Sequence, residues 1–268
     1  MGKALQVVTG QVTNPNTTLT ALTANTGDSF TVRAADPGTD IELLEAWAFA
    51  ATAGVLRIRS PRMHDQAQNT RFQTVASIPR PVMAFEENQV LYPQDNITVE
   101  MTGDSAAVDL ASMLVYYSSI QGVSANLHSW AEVQPLIDKL TTVEVDLTSS
   151  GTACNYSATV ALNGTFDTLI RNDYYAVLGY ECGTTGGTLG LTGVDTGNLR
   201  VGGPLYNQTE FTADWFVLLS NRTQYPCIPV INAANVAGIN IDCACQATST
   251  SFKVAFNLAH LKTPLTAS

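Results

Sequence analysis

Lysine is almost missing from this chain, being confined to Lys3, Lys139, Lys253 and Lys262, and the formal net charge is -10. A surface of that sign repels a phosphate backbone, which excludes the usual electrostatic route to direct nucleic-acid binding. Histidine is scarce too: His64, His128 and His260 stand far apart. The paired-His spacing of a zinc site is therefore missing, and each reads as a surface or structural residue. No stretch approaches the roughly 20 apolar residues of a membrane span, and residues Met1 to Gly10 carry no secretory apolar core. A soluble chain made in the cytoplasm is expected. There is no Gly-rich phosphate loop ending in Lys-Ser/Thr, no Gly-x-Ser-x-Gly elbow and no Cys-x-x-Cys pair. The reading is of a non-enzyme, with no catalytic, cofactor-binding or metal residues to nominate.

The first half has no cysteine at all. Cys154, Cys182, Cys227, Cys243 and Cys245 all fall in the second half, an odd number without metal-finger spacing, and read as small buried apolar side chains. Cys243 and Cys245 would share one strand face, a pairing suited to a soft metal, but Cys243 matches the apolar Met101 of the first half and core packing is preferred. Asp36 and Asp40 bracket Pro37-Gly38-Thr39 and offer two carboxylates to calcium, although Pro-Gly is also what a tight turn needs, and the turn is preferred. Asn-x-Ser/Thr triplets begin at Asn16, Asn96, Asn155, Asn163, Asn207 and Asn221; a Thr/Asn-rich composition produces them by chance.

What the chain does have is Thr, Asn, Gly and Ser in abundance, arranged as short alternating runs between turn residues, the pattern of an all-β protein. Its 268 residues suffice for two domains, each with its own core. Similar strand patterns recur in each half at a spacing of about 130 to 140 residues, which points to an internal duplication. Leu44, Ala46 and Ala48 match Leu178, Tyr180 and Cys182; Leu56 and Ile58 match Leu189 and Leu191. Asn69-Thr-Arg-Phe resembles Asn198-Leu-Arg-Val. Ile97, Val99 and Met101 match Ile239, Ile241 and Cys243, and a last strand with Ala111, Met113, Val115 and Tyr117 matches one with Phe252, Val254, Phe256 and Leu258. Because side chains alternate across a strand, these matched sets define an inward face in both halves.

Half a dozen or more strands per half suggest a β-sandwich, and the eight-stranded jelly roll fits a domain of about 110 residues. The expected layout is an N-terminal arm over 1–24, a first jelly roll over 25–122, a connector over 123–148, a second jelly roll over 149–262 and a tail over 263–268. In the connector, Ser129 and Glu132 have capping-box spacing before a helix running to Leu140, with Pro135 kinking it or sitting in its first turn. Residues Trp215 to Leu219 form a continuous apolar run that reads as a strand buried on both faces.

The halves also disagree. Trp47 and Phe49 stand where the second half has Glu181 and Gly183, while Leu114 and Tyr116 are matched with Ala255 and Asn257. Large apolar groups on an outer face of one half only mark a surface covered by the sister domain or by another subunit, so these four are the interface candidates.

Two tandem sandwiches without catalytic groups resemble the double jelly-roll major capsid proteins of the adenovirus and tectivirus lineage, the small corticovirus-like members in particular. The resemblance implies a virion protein synthesised in the host cytoplasm, whose homotrimers form pseudo-hexagonal capsomers in an icosahedral shell. It also implies other virion proteins as partners, and an internal membrane would suit the acidic balance. The alternative is a tandem carbohydrate-binding or adhesion protein, with Trp47 and Phe49 as an aromatic platform.

Overall fold

The computed structural model describes residues 2–50, 52, 54–60, 70–74, 81–82, 89–162, 169–170, 172–184, 186–207 and 212–267, with backbone alone at 70–74, 81–82, 89 and 237. His64 and Asn163 lie outside the described residues.

The first half is built from β1 (Gly2–Thr13), β2 (Thr20–Ala21), β3 (Thr23–Ala24), β4 (Ile41–Phe49), β5 (Gly54–Arg59), β6 (Thr70–Thr74), β7 (Pro81–Val82), β8 (Gln89–Val90), β9 (Thr98–Met101) and β10 (Val108–Ile120). One sheet runs β3-β1-β10-β4-β7, with β8 also on β4, and the other runs β2-β9-β5-β6. The second half continues with β11 (Leu127–His128), α1 (Trp130–Val133), β12 (Ile137–Thr148), β13 (Val160–Ala161), β14 (Tyr174–Cys182), β15 (Gly187–Thr192), β16 (Val201–Leu205), α2 (Trp215–Thr223), β17 (Ile228–Asn232), β18 (Asn240–Cys245) and β19 (Ser251–Leu261). Its sheets run β11-β17-β14-β19-β12 and β13-β18-β15-β16.

Taking β7 with β8 as one broken strand, and leaving the two-residue edge strands β3 and β11 aside, the strand order is 1-8-3-6 in one sheet and 2-7-4-5 in the other, in both halves. That is the jelly roll, twice, and the protein is all-β with two tandem sandwiches. The hydrogen-bond registers also align the halves position by position. Leu56 pairs with Met101 as Leu189 pairs with Cys243, and Ile58 with Val99 as Leu191 with Ile241. The third strand carries a one-residue bulge at the same place in each, Leu44 in β4 and Leu178 in β14.

Several expectations need correcting. Residues 1–24 are not a free arm. Gly2–Thr13 is paired with β10 through most of its length and almost wholly buried, because its apolar residues have both a core and an outer neighbour to cover them. Leu44 does not share the inward face of Ala46 and Ala48: the bulge turns it outward, and Leu43 takes its place in the first core. In the last strand the register makes Met113 equivalent to Phe256 and Val115 to Leu258, two residues from the match that composition suggests. Likewise the backbone register sets Arg71 opposite Arg57 and Gly202, not Arg200, opposite Gly190.

The connector is mostly strand. The capping box of Ser129 and Glu132 is present, but α1 is one turn long and passes into a 3-10 turn, Gln134–Leu136, with Pro135 near its start. From Ile137 onwards the alternating buried Val143, Val145 and Leu147 join β19 instead of continuing a helix. Trp215 to Leu219 is helical, not a strand. In α2 the buried positions are Trp215, Phe216, Leu219, Ser220 and Thr223, while Leu218 is 51% exposed, a helical period that the adjoining apolar Val217 and Leu218 conceal in the sequence. Among the described residues no helix is long and apolar enough to cross a membrane.

Candidate assembly interface

A half-buried strand alternates, as β5 does. In β4 all nine residues are buried, so both of its faces must be covered. The inner face, with Ile41, Leu43, Ala46 and Ala48, packs in the first sandwich's own core. The outer face, with Leu44, Trp47 and Phe49, joins Leu5, Val7, Leu110, Leu114 and Tyr116 in one continuous cluster with the core of the second sandwich.

The four interface candidates therefore meet the sister domain within the same chain. Trp47, Phe49 and Leu114 are 0% exposed and Tyr116 is 2% exposed. The Trp47 indole stands edge-on to Trp215 at 6.0 Å, and its Nε1–H donates to Thr188 Oγ1 at 2.9 Å. A chain of hydroxyls runs on from Thr188 to Ser112 (2.6 Å) and from Ser112 to Thr9 (2.8 Å). Tyr116 stacks on Tyr225 at 4.3 Å, and the Tyr225 hydroxyl donates to Glu42. Arg222, in the last turn of α2, pairs with Glu45.

The receiving face on the second sandwich is made of small residues. Thr188 and Gly190 on β15, Gly202 and Pro204 on β16, and Ala244 on β18 share its outward register. A Cβ at Gly190 would come within 2.3 Å of Asp242 Oδ1 and 2.6 Å of the Arg200 stem. Glycine there leaves room for Arg200 to lie flat under the first sandwich.

Arg200 is the electrostatic centre of the junction. Its guanidinium reaches Asp28 and Asp242, each at 2.9 Å, and lies 3.5 Å over the Tyr156 ring. Asp28 also accepts from the Thr9 backbone N–H at 2.9 Å and from the Tyr156 hydroxyl at 2.7 Å. Burial nevertheless holds the Asp28 carboxyl above the ordinary carboxylate range, outweighing Arg200 and both donors. Burial works against the Arg200 cation as well, but Asp242, Tyr156 and Asp28 more than offset it, and the group stays charged. Backbone joins backbone where the Val7 N–H donates to the Arg200 carbonyl at 2.8 Å. A polar cavity of about 150 Å³ opens beside this cluster, lined by Gln6, Asp28, Arg33, Asn198 and Arg200 among others. Sequence reading missed the cluster, because nothing in the chain order brings Asp28, Tyr156 and Arg200 together.

The remaining candidates fall elsewhere. Asp36 to Thr39 is a tight turn, closed by Thr39 N–H to the Asp36 carbonyl at 3.1 Å with Gly38 at φ +83°. All five cysteines are buried and free, and burial pushes the Cys154 and Cys227 thiols up to about 12. His128 is buried against Asn126 at 2.9 Å; His260 sits between Asp138 and Asp173 at 3.2 and 2.9 Å. Among the described residues no group of three or more His, Cys, Asp or Glu is disposed to hold a metal ion.

No protein-family model matches this chain, and no curated protein does. Among solved structures it is similar to the PBSX exported protein XepA, at 10% identity and a TM-score of 0.21, over 92% of this chain and 88% of that one. The major capsid protein P2 from bacteriophage PM2 matches at 7% identity and 0.23, over 98% and 99%. A triple jelly-roll protein from the turret assembly of an archaeal virus matches at 10% and 0.23, over 97% and 79%.

Proposed function

We propose that this chain is a structural virion protein, a major capsid protein whose homotrimers form pseudo-hexagonal capsomers of an icosahedral shell. The observation that carries the reading is the junction. Two jelly rolls of identical strand order are locked side by side by a buried sheet-to-sheet contact, so one chain presents two like barrels as a single block. Three such blocks in a ring supply six barrels, which is what a hexagonal lattice position needs. We read the repeated topology as an internal duplication followed by divergence of the outer faces. On this reading the protein works through subunit contacts, not catalysis, in company with other virion proteins.

The carbohydrate-binding alternative loses its platform, since Trp47 and Phe49 are inaccessible in the folded chain. Sedimentation equilibrium tests the proposal: a species of three times the 28.6 kDa protomer is expected. A lone monomer at all concentrations and salt conditions would remove it.

A further inference from the structure

The registers put both sandwiches on a common frame, in which the β12–β19 face is open and the β5–β9 face is half-buried, with Glu100 buried between Arg57 and Arg59. Val7 pairs with Leu114, which in turn pairs with Glu45 beside the β4 bulge. Thr142 pairs with Asn257, which pairs with Gly179 beside the β14 bulge. Leu5, Val7, Thr9 and Gln11 of β1 therefore correspond to Leu140, Thr142, Glu144 and Asp146 of β12. On the opposite sheets, Thr188, Gly190 and Asp242 correspond to Val55, Arg57 and Glu100.

Within the chain, Leu5, Val7 and Thr9 of the β1 set are buried toward the Thr188 and Gly190 face, with Gln11 half-buried. The equivalent β12 set is open. Leu5 is 0% exposed and its counterpart Leu140 is 69% exposed. Thr142, Glu144, Asp146 and Thr148 are also exposed, along a strand that is the edge of its sheet and pairs with β19 alone among the described residues. A long open edge of this kind invites a partner.

Charge identifies what fits. On the β12–β19 face Lys253 is shared by Glu144 (3.3 Å) and Asp146 (3.1 Å), leaving one negative charge in excess. On the β5–β9 face Glu100 is shared by Arg57 and Arg59, leaving one positive charge in excess. The two triads have the same layout with opposite sign. They also occupy the positions that the intrachain contact would bring near one another, since Glu144 stands where Thr9 does and Val55, beside Arg57, stands where Thr188 does.

We propose that the outer face of β12 and β19 docks on the outer face of β5 and β9 of a second copy of this chain, head to tail. The contact repeats between subunits the geometry that joins the sandwiches within one. It rests on the reading of the chain as a self-assembling subunit and names the surfaces that assembly uses. The intrachain junction holds its ion pairs within a buried apolar contact; the triads of this one lie nearer solvent, so it weakens as salt screens them.

The test is sedimentation velocity on the full chain and on Glu144→Lys with Asp146→Lys, both compared from about 50 mM to about 500 mM salt. The double variant is expected to raise the dissociation constant about tenfold or more at low salt, with an unchanged thermal melt. Adding Arg57→Glu and Arg59→Glu to the same chain is expected to restore association, because both signs are then reversed. Leu140→Asp, at a position already in solvent, gives a second weakening independent of the triads and of any folding defect from the Arg57 change. Assembly at wild-type strength in both β12 variants would overturn the docking surface while leaving the capsid reading in place. A folded four-site variant that stays dissociated would overturn the choice of receiving face. A wild-type chain that never associates would remove the capsid reading itself.

Discussion

Trp47 does two jobs at one position: its ring fills the apolar contact between sandwiches, and its N–H starts the hydroxyl chain through Thr188, Ser112 and Thr9. Trp47→Ala is expected to cost about 3–5 kcal/mol in urea unfolding, in the range of large-to-small core changes. Trp47→Phe keeps most of the ring and leaves Thr188 with one donor fewer, so a loss of about 1–2 kcal/mol is expected. A charged residue at Trp47 or Tyr116 would open the chain's own junction, so it tests folding and not trimer contacts. Asp28 sets a pH dependence. Its folded pKa is raised, so its contribution to stability is fully present below the ordinary value of 3.8 and is lost as pH rises through the folded pKa. Asp28→Asn should therefore flatten the dependence of melting temperature on pH above about 4, measured by scanning calorimetry against wild type. An unchanged slope would contradict the burial argument.

Among the elements, the bulges and the receiving face decide how the sandwiches meet. Gly190 occupies the position that Arg57 holds in the first sandwich, and Gly190→Arg should wedge the junction apart while each sandwich keeps its own core. A larger radius of gyration in small-angle scattering with unchanged far-UV dichroism is the expected result; an unchanged radius would mean that the face tolerates bulk. The central strands are legible in the sequence because alternation survives there: Leu56, Ile58, Val99 and Met101 match Leu189, Leu191, Ile241 and Cys243, their structural equivalents. The sequence hid the Leu44 and Leu178 bulges, since one extra residue reverses the inward face without altering composition. It hid α2 for a similar reason, the buried Phe216 and Leu219 being separated by the apolar Val217 and Leu218. β1 reads as an arm because its counterpart β12 is polar and exposed on the face where β1 is largely buried, so the two strands share no pattern. Trp47, Phe49, Leu114 and Tyr116 were legible as a covered face, whereas the covering groups were not, because Thr188, Trp215 and Tyr225 come from parts of the chain with no matching pattern.

At the scale of the whole molecule, one chain is two like barrels joined by a buried contact, with a complementary pair of faces left over. A contact between different faces either closes into a ring or runs on as a filament, and closure at three chains gives six barrels around one axis. The direct test is single-particle electron microscopy of the purified protein at low salt. The account predicts three-chain rings of six barrels, with the β12–β19 face of each chain against the β5–β9 face of the next. Single two-barrel particles at every concentration and salt would contradict it.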